Sequence, residues 1–62
     1  NQLINVLNAL KSISSSHDLS SALIAFAPRV KKSSSKVKDA YTNTAKSINS
    51  DTYLGRALKA IY

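Results

Sequence analysis

The stretch DLSSALIAFAPRVKKSSSKVK, residues 18–38, decides how this chain folds. Leu19, Leu23 and Phe26 recur at helical spacing, and Val30 would extend the row. Ile24, Ala25 and Ala27 leave this segment almost no polar side, and a helix apolar nearly all round belongs in the centre of a bundle. Pro28 has no N–H for the Ile24 carbonyl and disfavours helical geometry at Ala27, which predicts a helix over residues 19–27 that stops at the proline. Asp18 is placed to cap its first turn. Beyond the proline the chemistry changes. Arg29, Lys31, Lys32, Lys36 and Lys38 put five positive charges into ten residues. Ser33, Ser34 and Ser35 lie among them, any of which can cap the following helix.

Working outward, Leu3, Leu7 and Leu10 follow the i, i+4, i+7 pattern, with Ile4, Val6 and Ile13 widening the stripe. A helix over residues 3–13 is expected there, broken by Ser14, Ser15, Ser16 and His17. Downstream, Val37, Tyr41, Thr44 and Ile48 make a narrow stripe over residues 36–49, with Lys38, Thr42 and Lys46 on the far side. Ser50 or Asp51 caps a last helix over residues 52–62. Tyr53, Leu54, Ala57, Leu58 and Ile61 line one side of it, Arg56 and Lys59 the other, and Gly55 sits on the polar side. Connections of two to eight residues between four short helices predict an all-α, compact antiparallel bundle in one domain, residues 1–62, built around Leu19, Leu23 and Phe26.

Composition narrows the ways such a bundle can be held. A chain of 62 residues buries only about 60% of the surface its unfolded form exposes, so its core is small. With no cysteine, disulfides and thiolate zinc sites are excluded. One histidine and three carboxylates make no metal or cofactor site, and none is expected. A single glycine and a single proline argue against an all-β fold, and 44% hydrophobic content against disorder. The longest strongly apolar run, residues 22–28, is far short of the roughly 20 residues that cross a bilayer. The sequence opens on Asn1, consistent with a processed secreted product or with an excised domain.

Charge carries the functional expectation. Residues 1–28 balance Lys11 against Asp18, whereas residues 29–62 set eight Lys or Arg against Asp39 and Asp51, so the whole net charge of +6 lies in the second half. This predicts an anionic partner met by Arg29, Lys31, Lys32, Lys36 and Lys38, with Arg56 and Lys59 in support. The leading expectation is a secreted, antimicrobial or bacteriocin-like peptide acting on anionic membranes, because anionic lipid attracts the cation and an apolar face then partitions. Leu19, Leu23, Phe26, Tyr53, Leu54, Leu58 and Ile61 are the apolar residues for that face, or else for the core. Size, charge, lack of cysteine and a cationic, aromatic-ended C-terminus together resemble the cyclic bacteriocins, which are much richer in glycine and aliphatics, and no family is assigned on that resemblance.

The alternative is a non-enzymatic helical module for an acidic or hydrophobic protein or lipid partner, with self-association as a further use of unburied apolar surface. Nucleic acid ranks behind both. A third helix presenting Lys38, Thr42, Asn43 and Lys46 could contact bases and phosphates, but an eight-residue turn containing proline does not suit a helix-turn-helix. His17 beside Asp18 lacks any nameable nucleophile or oxyanion donor, and the eleven serines include no G-x-S-x-G. An enzyme is not expected.

Overall fold

A computed structural model describes residues 2–62 of the chain, so Asn1, on which the processing expectation rests, lies outside it. Four α-helices follow one another: α1 (Gln2–Ala9), α2 (Ser16–Lys31), α3 (Ser35–Ala45) and α4 (Asp51–Lys59). A 3₁₀ turn, Leu10–Ser12, tightens the end of α1. The expected all-α bundle of four short helices is therefore observed, with its internal boundaries redrawn.

The largest redrawing is at Pro28, where α2 does not stop. It runs on for another turn to Lys31. Proline removes one backbone hydrogen bond, the one to Ile24, yet Ile24 and Pro28 lie one turn apart on an exposed face where water can serve the freed carbonyl. Val30, two residues further, is fully buried. Seating that side chain is worth about 1.5–3 kcal/mol, enough to offset most of the roughly 3 kcal/mol a helical proline costs. The Ser33 hydroxyl then donates to the Arg29 carbonyl at 2.8 Å, and its N–H to the Val30 carbonyl at 3.0 Å, finishing the helix. The connection to α3 shrinks from the expected eight residues to three, Lys32, Ser33 and Ser34.

The caps differ in detail as well. Ser15, not Asp18, caps α2: its Oγ accepts from the Asp18 N–H at 3.3 Å, which puts Asp18 inside the first turn. Ser50 caps α4 through a long contact from the Tyr53 N–H, 3.5 Å, as expected. Ser34 occupies the N-cap position of α3, but its side chain makes no capping bond. That helix ends at Ala45 rather than at residue 49, because Ile48 folds back to bury itself in a tight turn closed by the Ile48 N–H on the Ala45 carbonyl.

α2 lies in the middle of the bundle as expected, packed on α3, α4 and the 3₁₀ turn, and α3 shares that place. α3 packs on α1, α2 and α4, whereas α1 meets chiefly α3. Val37, Ala40, Tyr41, Thr44 and Ala45 of α3 are all buried, joined by Leu7 of α1, Leu19, Leu23, Ala27 and Val30 of α2, Ala57 of α4, and Ile48 and Ile61. Phe26, expected at the centre, is only half-buried against this core. Small side chains at Ala40 and Ala45 let neighbouring backbones come close to α3, and its two buried hydroxyls use that closeness. Tyr41 Oη donates to the Ala57 carbonyl at 2.6 Å. Thr44 Oγ1 lies 2.9 Å from the Leu7 carbonyl and 2.9 Å from the Ala40 carbonyl, so its single proton is shared between α1 and its own preceding turn. Among the described residues, every buried side-chain nitrogen or oxygen has a partner.

Chain direction follows from these contacts. The Asn49 N–H donates to Ser16 Oγ at 3.3 Å, and the His17 and Tyr53 rings meet edge to face, 5.6 Å between centroids. The N-terminal ends of α2 and α4 thus lie together. With α3 running back along α2, the C-terminal end of α2 and the start of α3 share the other end of a molecule 27 Å long, and α4, nine residues against sixteen in α2, stops short of it.

Two outcomes test this account. Gly55 is exposed in α4, and an added Cβ would meet nothing within 4 Å, so Gly55→Ala should raise stability by about 0.8–1 kcal/mol in urea denaturation. Tyr41→Phe leaves the Ala57 carbonyl buried and unpartnered and should lower stability by about 1–3 kcal/mol at neutral pH. Burial also pushes the Tyr41 hydroxyl up to about 12 from its ordinary 10.0. The folded state then keeps a proton the unfolded chain loses, so this contribution is intact below pH 10 and fades as pH rises toward 12. Denaturation midpoints between pH 9 and 12 should therefore fall more steeply for the parent than for the phenylalanine variant, lysine titration being common to both.

Candidate anionic-surface interface

The five cations expected in a loop are distributed differently. Arg29 and Lys31 belong to the last turn of α2, Lys32 is its C-cap, and Lys36 and Lys38 belong to the beginning of α3. Arg29, Lys31, Lys32 and Lys36 are exposed, and Lys38 is half-buried. Arg56 and Lys59 sit exposed in the last turn of α4. Lys59, at the end of the shorter α4, stands back along the bundle from the end that carries Arg29 to Lys38. Arg56 stands further back, its guanidinium 5.5 Å from the centroid of the Tyr53 ring, one turn away on the same helix.

None of these cations is neutralised by a carboxylate. The only ion pair among the described residues is the long, exposed His17–Asp18 contact, 3.5 Å. Asp18 and Asp51 occupy the first turns of α2 and α4, at the opposite end from the cluster, and Asp39 is exposed on α3. The molecule is therefore electrically lopsided along its long axis.

Much of that lopsidedness serves the helices themselves. A helix carries partial negative charge at its C-terminal end, and a cation there contributes about 0.3–1 kcal/mol. Arg29, Lys31 and Lys32 end α2, Lys46 is the C-cap of α3, Arg56 and Lys59 end α4, and Lys11 closes the 3₁₀ turn. Asp18 and Asp51 complement the opposite poles. Lys36 and Lys38 do not fit this scheme. They stand at the positive end of α3, with no acidic residue in its first turn and no hydroxyl capping it. Three sources of positive potential converge there: the lysines, the exposed amides of the first turn, and the cations that close α2.

The apolar residues named from the sequence all turn toward the interior. Leu19, Leu23 and Ile61 are buried, and Phe26, Tyr53, Leu54 and Leu58 are half-buried against the core. Large hydrophobic side chains exposed to solvent are Val6, Ile24 and Tyr62. No helix is long and apolar enough to cross a membrane. No group of three His, Asp or Glu side chains comes together among the described residues.

The sequence reading missed Tyr41 and Thr44 as cross-helix donors and Ser16 as the acceptor that pins the α3–α4 turn. Tyr41 and Thr44 carried a usable signal, polar residues on an otherwise apolar stripe; Ser16 carried none. The three-residue turn before α3 removes the earlier objection to a helix-turn-helix. A different one replaces it: α3 is flanked by three helices, and the Thr42 hydroxyl is engaged by the Lys38 carbonyl at 3.0 Å, which leaves little of α3 to enter a groove.

Comparison with protein-family models, with curated proteins and with solved structures finds no match to this chain.

Lys36→Glu combined with Lys38→Glu should leave the helical circular-dichroism spectrum unchanged and hold or raise the melting temperature, since acidic residues suit a helix N-terminus by about 0.3–1 kcal/mol. A lower melting temperature would show that the two lysines are there for the fold.

Proposed function

We propose that this chain is a secreted, cationic helical peptide that acts on anionic membranes, antimicrobial or bacteriocin-like in character, and not an enzyme. The observation that carries the reading is the end of the molecule where Arg29, Lys31, Lys32, Lys36 and Lys38 gather without counter-ions among the described residues, two of them placed where their own helix disfavours them. Stability explains a lysine at a helix C-terminus. It does not explain one at an uncapped N-terminus.

An anionic lipid surface matches this end better than a compact anionic ligand. Apart from half-buried Lys38 the cations are exposed, and they come from two helices and the turn between them; no pocket forms among the described residues, so they present a broad field of charge rather than a cradle. Each basic side chain brought near an anionic leaflet contributes on the order of 1 kcal/mol, and five acting together make adsorption strong at low salt. An acidic protein surface would satisfy the same field, but nothing in the fold supplies the apolar patch that usually centres a protein interface.

Co-sedimentation with vesicles tests the reading. The parent chain should bind phosphatidylglycerol-containing vesicles at micromolar concentration and release trapped dye from them, while leaving phosphatidylcholine vesicles intact. Reversing Lys36 and Lys38 to glutamate should weaken that binding by at least thirtyfold, roughly 2 kcal/mol for two lysines lost. A folded chain that ignores both vesicle types would turn the reading toward a protein-binding module.

A further inference from the structure

We infer that α4 is the lipid-inserting element of this fold, kept closed by the Tyr41 hydroxyl on the Ala57 carbonyl; the inference rests on the membrane reading above. The closed molecule offers an anionic surface a great deal of charge and little apolar area. Val6 and Ile24 are each 39% exposed, on α1 and α2, and Tyr62 is 83% exposed. Adsorption needs only the charge. Disturbing a bilayer needs apolar side chains below the headgroups, and in the closed state those side chains form the core. Some element must leave.

The helices are not equal candidates. Within its bounds α2 buries Leu19, Leu23, Ala27 and Val30 completely or nearly so, and α3 buries five residues and touches every other helix. Releasing either dismantles the fold. Within α1 only Leu7 is fully buried, but residues 2–9 carry no charge, so an anionic surface exerts no pull on it. Within α4 only Ala57 is fully buried, and Tyr53, Leu54 and Leu58 are half-buried; Ile61 is buried in the turn just beyond its end. Gly55 further weakens this nine-residue helix without any packing reason to be glycine. Arg56 and Lys59 already face solvent opposite the apolar side.

Released, α4 has the composition of an interfacial helix. Tyr53, Leu54, Ala57, Leu58 and Ile61 share one face and the two cations the other, so it would lie in the plane of the headgroups rather than span the bilayer. Arg56 and Lys59 give α4 its own attraction to the anionic surface, so the element to be inserted is drawn toward the lipid once the molecule is adsorbed. Tyr41 is the one buried side chain that hydrogen-bonds to α4, at 2.6 Å, and its removal weakens the closed state without touching the charge or the apolar face. Thr44 ties α1 to α3 in the same manner and provides the matched control.

The experiment measures dye release from equimolar phosphatidylglycerol–phosphatidylcholine vesicles by the parent, Tyr41→Phe and Thr44→Val, with co-sedimentation in parallel. Tyr41→Phe should speed release about fivefold to tenfold, as expected when one buried hydrogen bond holding α4 is lost, whereas Thr44→Val should stay near the parent rate. A second readout does not depend on a weakened fold. Leu58→Trp and, separately, Val6→Trp are each placed in the otherwise unchanged chain and read with brominated acyl chains. Fluorescence at position 58 should be quenched on binding and fluorescence at position 6 should not. Equal acceleration by both core variants, or binding without quenching at position 58, would overturn the role of α4 while leaving the membrane reading intact. Absence of any co-sedimentation would remove the membrane reading itself, and this inference with it. Where Tyr41→Phe has lost its helical spectrum in buffer, the two tryptophan variants decide.

Discussion

Two hydroxyl groups on one short helix organise this protein. Tyr41 and Thr44, one turn apart on α3, each reach across to a carbonyl in the last turn of a neighbouring helix, Ala57 of α4 and Leu7 of α1. Last-turn carbonyls are the ones a helix leaves without partners of its own, and a short helix has few others. The two bonds therefore satisfy groups that burial would otherwise penalise, and they set the height at which α1 and α4 dock. An apolar contact would allow either helix to slide; a buried donor facing one carbonyl does not. In a chain too small for a deep core and without disulfides, two such neutral bonds bring specificity without the desolvation penalty of a buried charge.

That organisation explains why charge could be kept on the surface and arranged by polarity. Three carboxylates and nine basic residues are too unequal to pair off, and they do not. They sort instead by helix pole, acids at the starts of α2 and α4 and bases at the ends. Antiparallel packing then gathers the end of α2 with the start of α3. Stabilising a helix and building a cationic end are thus one arrangement for Arg29, Lys31 and Lys32. Lys36 and Lys38 separate the two purposes, because they add to the cationic end at the expense of their own helix.

The helical class was legible from period alone: Leu3, Leu7 and Leu10, and Leu19, Leu23 and Phe26, each mark an inward stripe, and Ser50 marks the start of α4. What period could not show was the weight of each stripe. The row in α3 looked poor because Tyr41 and Thr44 count as polar and Ala40 and Ala45 as small, although small and hydrogen-bonding side chains are what permit three helices to crowd one. Pro28 misled for a related reason. A local rule ended the helix there, and the burial of Val30, a tertiary fact, carried it on. The cationic residues were readable as a cluster in sequence, but their division between helix ends and a contrary pair depends on boundaries that Pro28 obscured.

The same economy has a consequence for activity. A fold whose apolar residues are almost all committed to its core cannot both keep that core and present it to lipid, so under the proposed membrane activity charge and apolar face act in succession. Burial in a chain of this size leaves only a few kilocalories per mole between the closed and open forms, about 5 or less. An anionic surface that gathers five cations supplies energy of the same order. The helix that moves need only be the one that joins weakest contacts to positive charge. In α4, a glycine without a steric role, one buried carbonyl on a tyrosine and two outward cations coincide within nine residues. The Tyr41 bond that sets the height of α4 in the closed bundle is, on this argument, also the contact whose loss admits the membrane.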